Sequence, residues 1–430
     1  MSTKSFDLPS AKRSRRMYII EAAFEYFVLL LIGGAYLAKL LSNMGIPDST
    51  VGIISSLLSL AVFSQLISIF FVQKIRNVKK TVVPIHMLGQ CLFTFLYLLP
   101  FLKLPTSVAS LFVGGCLLIG YLCRSSVASI IYRWASSFVD PSRRASFSSA
   151  VSIVSLSSNI VVSFGASAFF DYLCKTHGDH AGFLFLAILI LVFNVVDLIC
   201  LACMTNVKQE PEERAHTLKV SEVIRMLFSN KSYICAIFAY ALWCIGSGIF
   251  VGFIGIYQIK ELGMSLTLIA GVGIGSSFAQ MLSSKLIADY TDKRNYAYGL
   301  NLGFGMAAVA TLCMVFTTPK TWWMMIFYVL IYNSATVTIG QNSGNIAFNY
   351  VDSKYYVEAV AIMNSIGGIC GFGASLIGAS IFETVQKNGN QLFGIKVYGQ
   401  QVLAVISFSV IFIDILFTKL ALEKRPIIAK

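Results

Sequence analysis

Glu21 and Glu25 lie one helical turn apart in an apolar stretch, and Arg124 interrupts another. Charges in such surroundings are costly, so each of the three is a functional candidate by default. Two like carboxylates on one face repel, and a proton held on either relieves the repulsion; a nearby guanidinium does the same by pairing. Proton binding and ion pairing are the chemistry these residues offer. The competing reading is a static buried ion pair that fixes helix packing.

A second set is uncharged. Thr338, Asn342, Asn345 and Asn349 recur at helical spacing on one face, with Gln341 at its border. Amides turned toward lipid would lose their hydrogen bonds, so this face must meet water, a solute or other helices. Tyr240, Trp243, Ser247, Phe250 and Tyr257 make a comparable face in another stretch, and Tyr36 sits three turns beyond Glu25. The binding candidates for a small polar molecule are therefore Tyr36, Tyr240, Trp243, Ser247, Thr338, Gln341, Asn342 and Asn345. Interhelical hydrogen bonding and aromatic packing would use the same residues.

Other chemistry finds less support. Cys174-x-x-His177-x-x-His180 has metal-ligand spacing, but no fourth ligand accompanies it, so it reads as a polar loop and no metal is expected. The four histidines, His86, His177, His180 and His216, show no grouping with deep carboxylates, which argues against a membrane enzyme. No nucleotide loop is present and no cofactor is implied. The ten cysteines fall almost entirely in apolar stretches, where they pack as small hydrophobes rather than as a disulfide framework. Asp414, five residues before Lys419, is expected to snorkel to the interface, and Asp171 to mark the outer end of its helix. Gly271-x-Gly273-x-Gly275 and Gly367-Gly368-x-x-Gly371-x-Gly373 read as close helix contacts.

The elements that position these residues follow from composition. Of 430 residues 57% are hydrophobic and 12% charged, and the mean hydropathy is +0.76. A soluble domain carries about 25% charged residues, so this chain has too little polar surface for a soluble fold. Polar breaks leave twelve apolar spans near 18–42, 49–73, 81–102, 107–134, 145–170, 181–204, 232–258, 265–288, 296–317, 321–348, 357–384 and 400–420. Each is long enough to cross a hydrocarbon core of about 30 Å. The expectation is an all-α membrane protein of twelve transmembrane helices.

Of the 33 Lys and Arg residues, 25 fall on the side that holds both termini, seven on the other, and Arg124 within a span. That excess places both termini in the cytoplasm. The net charge of +13 then serves topology rather than nucleic-acid binding. No small-residue cleavage site precedes the first span, so no removable signal is expected. With Arg16 and Arg133 at the cytoplasmic interface, Glu25 and Arg124 each lie nine residues, about 13 Å, deep.

A polar stretch splits the chain into a six-helix half at 1–205, a cytoplasmic linker at 206–230 and a second six-helix half at 231–430. Within the linker Leu218, Val220, Val223, Ile224 and Leu227 have the spacing of an interfacial helix. Equivalent loops carry equivalent charges: Arg76, Lys79 and Lys80 after the second span, and Asp289, Lys293 and Arg294 after the eighth.

At these residues the chain resembles the major facilitator superfamily, whose loop pattern is Gly-x-x-x-Asp-(Arg/Lys)-x-Gly-Arg-Arg. Asp289, Lys293 and Arg294 match it, whereas Lys285, Tyr290 and Asp292 depart from it. Arg76, Lys79 and Lys80 match in the first half, with Phe71 and Ile75 where the Gly and Asp would stand. Arg124 and the later Asp140-Pro141-x-x-Arg144 are also similar, while the fifth span lacks the Gly-Pro-rich pattern of the family's drug and proton antiporters. The resemblance implies two six-helix pseudo-repeats, with helices 1, 4, 7 and 10 around a transport path. Helix 1 would lie beside helix 4, bringing Glu25 to Arg124. Helix 6 would lie outside the path, making Asp197 structural, and the six loop residues would gate.

The implied function is secondary active transport of a small polar organic solute, such as a sugar derivative or organic anion, by alternating access with proton coupling. A polyspecific exporter of lipophilic compounds is the alternative. Expected partners are the solute, the coupling proton and the lipid bilayer of the cell (plasma or inner) membrane, with no nucleic acid and a monomeric chain.

The charge asymmetry generates a test. Single cysteines at Lys175 and Lys387 should react with an impermeant maleimide added to intact cells, while cysteines in 206–216 should react only after permeabilisation. Labelling of 206–216 from outside would overturn the topology.

Overall fold

The computed structural model describes residues 8–66, 77–140, 143–206, 225, 228–292, 295–351, 356–392 and 394–424. Its helices correspond in order to the twelve spans. They are α1 (Pro9–Leu31, continued after a break as Gly34–Asn43), α2 (Asp48–Leu66), α3 (Val78–Leu96), α4 (Thr106–Ser136), α5 (Arg144–His177) and α6 (Asp179–Cys203). The second half adds α7 (Lys231–Glu261), α8 (Leu266–Asp292), α9 (Tyr296–Val315), α10 (Met324–Tyr350), α11 (Tyr356–Lys387) and α12 (Gly399–Ala421). Among the described residues ten helices are long and apolar enough to cross a membrane, or eleven if the two parts of α1 form one span. The remaining helix is α3, whose apolar character is diluted by Lys79, Lys80, His86 and Gln90.

Helix ends follow local chemistry. Asn77 accepts from the Lys80 amide, Asn230 from those of Ser232 and Tyr233, and Asn295 from that of Ala297, so three helices start on asparagine caps. α1 begins at Pro9 rather than near residue 18, because a proline at the first turn gives up no helical hydrogen bond. Its break was not expected: Gly34 adopts φ +52°, a conformation open to glycine, and the two parts meet at 42°. The structure adds a two-stranded hairpin of β1 (Gln391–Leu392) and β2 (Ile395–Lys396) between α11 and α12.

The chain forms two compact units. One holds Met1–Ile46, Ile67–Thr217 and Ser265–Ala270; the other holds Pro47–Leu66, Leu218–Met264 and Gly271–Lys430. α2 belongs to the second unit and the start of α8 to the first. In the second unit, a Cβ on Gly52 of α2 would lie 2.0 Å from the Phe253 ring, and one on Gly368 of α11 would lie 2.3 Å from the Ser59 carbonyl. Asp48 at the start of α2 pairs with Lys260 at 2.5 Å and accepts from the Gln386 amide at 2.8 Å. In the first unit, Asp171 of α5 accepts from the Thr267 backbone amide at 2.9 Å and its hydroxyl at 2.6 Å, capping the α8 N-terminus.

Small residues set the closest helix approach. At the crossing of α7 and α11, a Cβ on Gly248 would lie 2.2 Å from the Gly371 carbonyl. The α11 glycines therefore behave as the pattern suggested at Gly367, Gly368 and Gly371. On α8 the expectation fails: no atom lies near a Cβ on Gly271 or Gly273, and Gly275 has only an ordinary contact. The linker's interfacial helix falls mainly outside the described residues.

Since the atom facing Gly248 is backbone, it cannot step aside. Gly248→Ala should cost about 1–3 kcal/mol through overpacking, whereas Gly273→Ala, with open space and a better helix former, should be neutral or stabilising. Melting curves of the detergent-purified variants check the contrast.

Candidate functional site

The first unit gathers four ionisable residues from α1, α3 and α6 with one from α4. Arg124 Nε stands 2.9 Å from Glu25 Oε1, with side chains 25% and 19% exposed. The approach is ionic, since the Nε–H is not aligned on the carboxylate for a hydrogen bond. The guanidinium makes no hydrogen bond among the described residues. An arginine has five donors in a planar fork, so most of this group's capacity is open to a further anion.

Glu21, one turn before Glu25, is 1% exposed and lies in a different environment. Its carboxylate, the His86 ring and the Asp197 carboxylate each place one atom within 4.8 Å of the others. His86 Nε2 is 2.6 Å from Asp197 Oδ2, and the Gln90 amide nitrogen is 3.1 Å from both. Asn194 donates to the Gln90 carbonyl at 2.9 Å and to Thr94 at 2.8 Å, tying α6 to α3. His86 and Gln90 are one turn apart on α3, as Asn194 and Asp197 are on α6. Each helix presents one polar stripe to the other, which satisfies groups that neither could satisfy in lipid.

This corrects one expectation: a histidine does group with deep carboxylates, and Asp197 of α6 is fully buried in that group. The signal in the sequence was the pair of one-turn polar repeats in otherwise apolar spans. Its partner assignment needed the packing of α3 on α6. A second correction concerns Asp414. It does not snorkel: it is 0% exposed, with Oδ2 unpartnered and Thr418 as its hydrogen-bond neighbour at 3.5 Å. α12 turns that face onto the protein rather than along the interface.

Of the uncharged candidates, Tyr36 bonds Ser167 of α5 at 2.5 Å and is buried. In the second unit Trp243 stacks near Phe304 and Tyr332, and Phe250 meets Tyr328 and Tyr332 edge-on, so these rings pack on one another. Tyr240 covers Gly367, and the Ser247 hydroxyl bonds the Cys244 carbonyl. Tyr257 donates to the Thr317 carbonyl.

The α10 amide face divides. Thr338 and Asn342 are buried against α9, where a Cβ on Gly299 would lie 2.3 Å from Asn342 Oδ1, and Asn349 bonds Asn295. These three meet a helix, because glycines on α9 let α10 approach closely. Gln341 is exposed and bonds Ser284 of α8 at 2.7 Å. Asn345 is half-buried and makes no side-chain hydrogen bond among the described residues. A polar seam that sequence reading did not isolate runs beside them: Asn333 and Gln280 both donate to Ser276.

Among the gating residues, Arg76, Lys293 and Arg294 lie outside the described residues, and the Asp289 side chain is not among those described. Lys80 is exposed, while Lys79 donates to the carbonyls of Ala202 and Met204 at the end of α6. Cys174, His177 and His180 do not converge: His177 bonds Thr176, and the His180 ring lies tilted against Phe101.

A sequence comparison with curated proteins finds no match. Among solved structures the chain is similar to the nucleoside transporter NupG, at 11% identity and a TM-score of 0.68, over 96% of this chain and 99% of that one. It is also similar to an auto-inhibited peptide transporter of the POT family, at 10% identity and 0.70, over 97% and 98%. A third is a bacterial homologue of the human lysosomal transporter Spinster, inward-facing and unoccupied, at 14% identity and 0.67, over 98% of each. Likeness at such identity establishes the fold, and the Major Facilitator Superfamily profile matches residues 19–379. The chain is thus a multi-pass membrane transporter rather than an enzyme, and it belongs to the Major Facilitator Superfamily.

Proposed function

We propose that the protein is a secondary active transporter of a small polar organic solute, an organic anion or sugar derivative, working by alternating access with proton coupling. It would sit in the cell membrane with both termini in the cytoplasm. The observation that carries this reading is the Glu25–Arg124 pair, a partly exposed ion pair within membrane-spanning helices. A guanidinium held by one unaligned contact can exchange that contact for an anionic group of the solute. Protonation of Glu25 would free Arg124 for the solute, and loss of the proton would restore the pair. Binding of proton and anion would then be mutually favourable, as symport requires.

Gln341 and Asn345 support a polar solute, since both are accessible amides on α10. The burial of Thr338 and Asn342 against α9 favours a packing role for them. The lipophilic alternative drew on the aromatic residues, and Trp243, Phe250, Tyr328 and Tyr332 are engaged with one another.

Proteoliposome uptake of a panel of organic acids, phosphorylated sugars and neutral sugars, with and without an inward proton gradient, tests the proposal directly. Uptake indifferent to the gradient would remove the coupling, and uptake of lipophilic cations alone would remove the solute class.

Two further outcomes are expected. Breaking one partner of a buried pair costs about 3–5 kcal/mol, and partial exposure moves this pair below that range. Glu25→Gln and Arg124→Gln should each abolish gradient-driven uptake, and in the double variant the stability losses should be less than additive; strict additivity in a thermal-melt cycle would reject the pairing. On α10, Gln341→Ala and Asn345→Ala should raise the half-saturating concentration about 5- to 150-fold, equivalent to roughly 1–3 kcal/mol. Asn342→Ala should instead lower the melting temperature with little effect on half-saturation.

A further inference from the structure

We infer that Glu21, His86 and Asp197 form a binding site for a first-row divalent metal ion, with Gln90 able to add an oxygen. Three observations converge on this. The ligand atoms come from three different helices, lie within 4.8 Å of one another and belong to buried side chains. Ligands of a tetrahedral ion bound at about 2.0–2.2 Å stand roughly 3.3 Å apart. His86 and Asp197 stand 2.6 Å apart and the other ligand atoms lie within 4.8 Å of them, so side-chain adjustments suffice to reach that value.

The second observation is a surplus of acceptors. Asp197 Oδ1, Gln90 Oε1 and Asn194 Oδ1 are all buried without a hydrogen-bond partner. Buried polar atoms are seldom left so, and three on adjoining side chains point to a missing donor or cation. Gln90 already sits against His86 and Asp197 through its amide nitrogen. Turning that amide end for end would place its oxygen at the same position, facing the cluster.

Charge is the third. Two carboxylates are buried here, yet among the described residues no lysine or arginine pairs with either, and Arg124 pairs with Glu25. A divalent ion balances both carboxylates while the imidazole stays neutral, and it takes four or more ligands at once. Protons would neutralise the charge, but each would satisfy a single oxygen. The imidazole selects among cations: Na⁺, Mg²⁺ and Ca²⁺ favour all-oxygen cages, whereas one nitrogen with several oxygens suits Zn²⁺, Co²⁺, Fe²⁺ or Mn²⁺. Asn194, by holding the Gln90 backbone and Thr94, would fix the α3 ligands from behind.

This inference does not rest on the solute or on proton coupling, and its test measures binding rather than transport. Full-length protein in detergent, stripped with EDTA and desalted, is titrated with Co²⁺ and followed by visible d–d absorption and equilibrium dialysis. One Co²⁺ per chain is expected, with affinity reduced at least tenfold in His86→Gln and in Asp197→Asn. The double variant His177→Ala/His180→Ala should bind as the parent does. Should the cluster variants fail to fold, Zn K-edge absorption on the Zn²⁺-loaded parent chain decides: a sulfur-free shell of light ligands with the outer-shell signature of one imidazole supports the site. Failure to retain stoichiometric Co²⁺, a sulfur-containing shell, binding unchanged by His86→Gln, or binding lost with the outer histidines would each overturn it.

Discussion

A polar group carried into hydrocarbon must find its partner inside the protein, and this constraint organises the structure. It brings Glu25 to Arg124 and His86 to Asp197, and it explains how α3 can carry two lysines, a histidine and a glutamine. The polar stripe of α3 lies on that of α6. Lys79 reaches the carbonyls at the end of α6 in the same way. Where the constraint is met only in part, as at Asp414 and at the unpartnered oxygens beside Asp197, the structure departs from what a purely structural role would need.

Between helices, lipid gives no hydrophobic drive for association, so close packing must supply it. The α7–α11 crossing at Gly248 and Gly371 and the seat of α2 on Phe253 and Gly368 serve this end. The same contacts assign α2 to the second unit, while Asp171 assigns the start of α8 to the first. Each half of the chain thus lends a segment to the unit built mainly from the other.

The two charged groupings on α1 differ in access, and that difference separates their chemistry. Glu25 and Arg124 are partly exposed and held by one contact, so under the proposed function a proton on Glu25 and an anion on Arg124 would favour each other there. Glu21 is shut away with a histidine and a second carboxylate, where exchange with solvent is hindered and a tightly held cation is favoured. Four residues of helix rise are enough to produce this contrast, because successive turns of α1 face different neighbours.

Composition and periodicity alone determined the membrane-embedded all-α class and the order of its helices, because hydropathy is a local sum that needs no partner. Matching depths of Glu25 and Arg124 could be read from helix rise, and their adjacency followed from the family's arrangement. Tertiary structure decided which face of each helix meets which neighbour. Thr338 and Asn342 share a face with Asn345, yet glycines on α9 draw the first two into packing and leave the third accessible. His86 and Asp197 are 111 residues apart, and no local pattern says that α3 and α6 turn their polar stripes together. A helix face is legible in sequence because its period is fixed by backbone geometry; its partner is set by close packing across distant segments, which only the folded chain specifies.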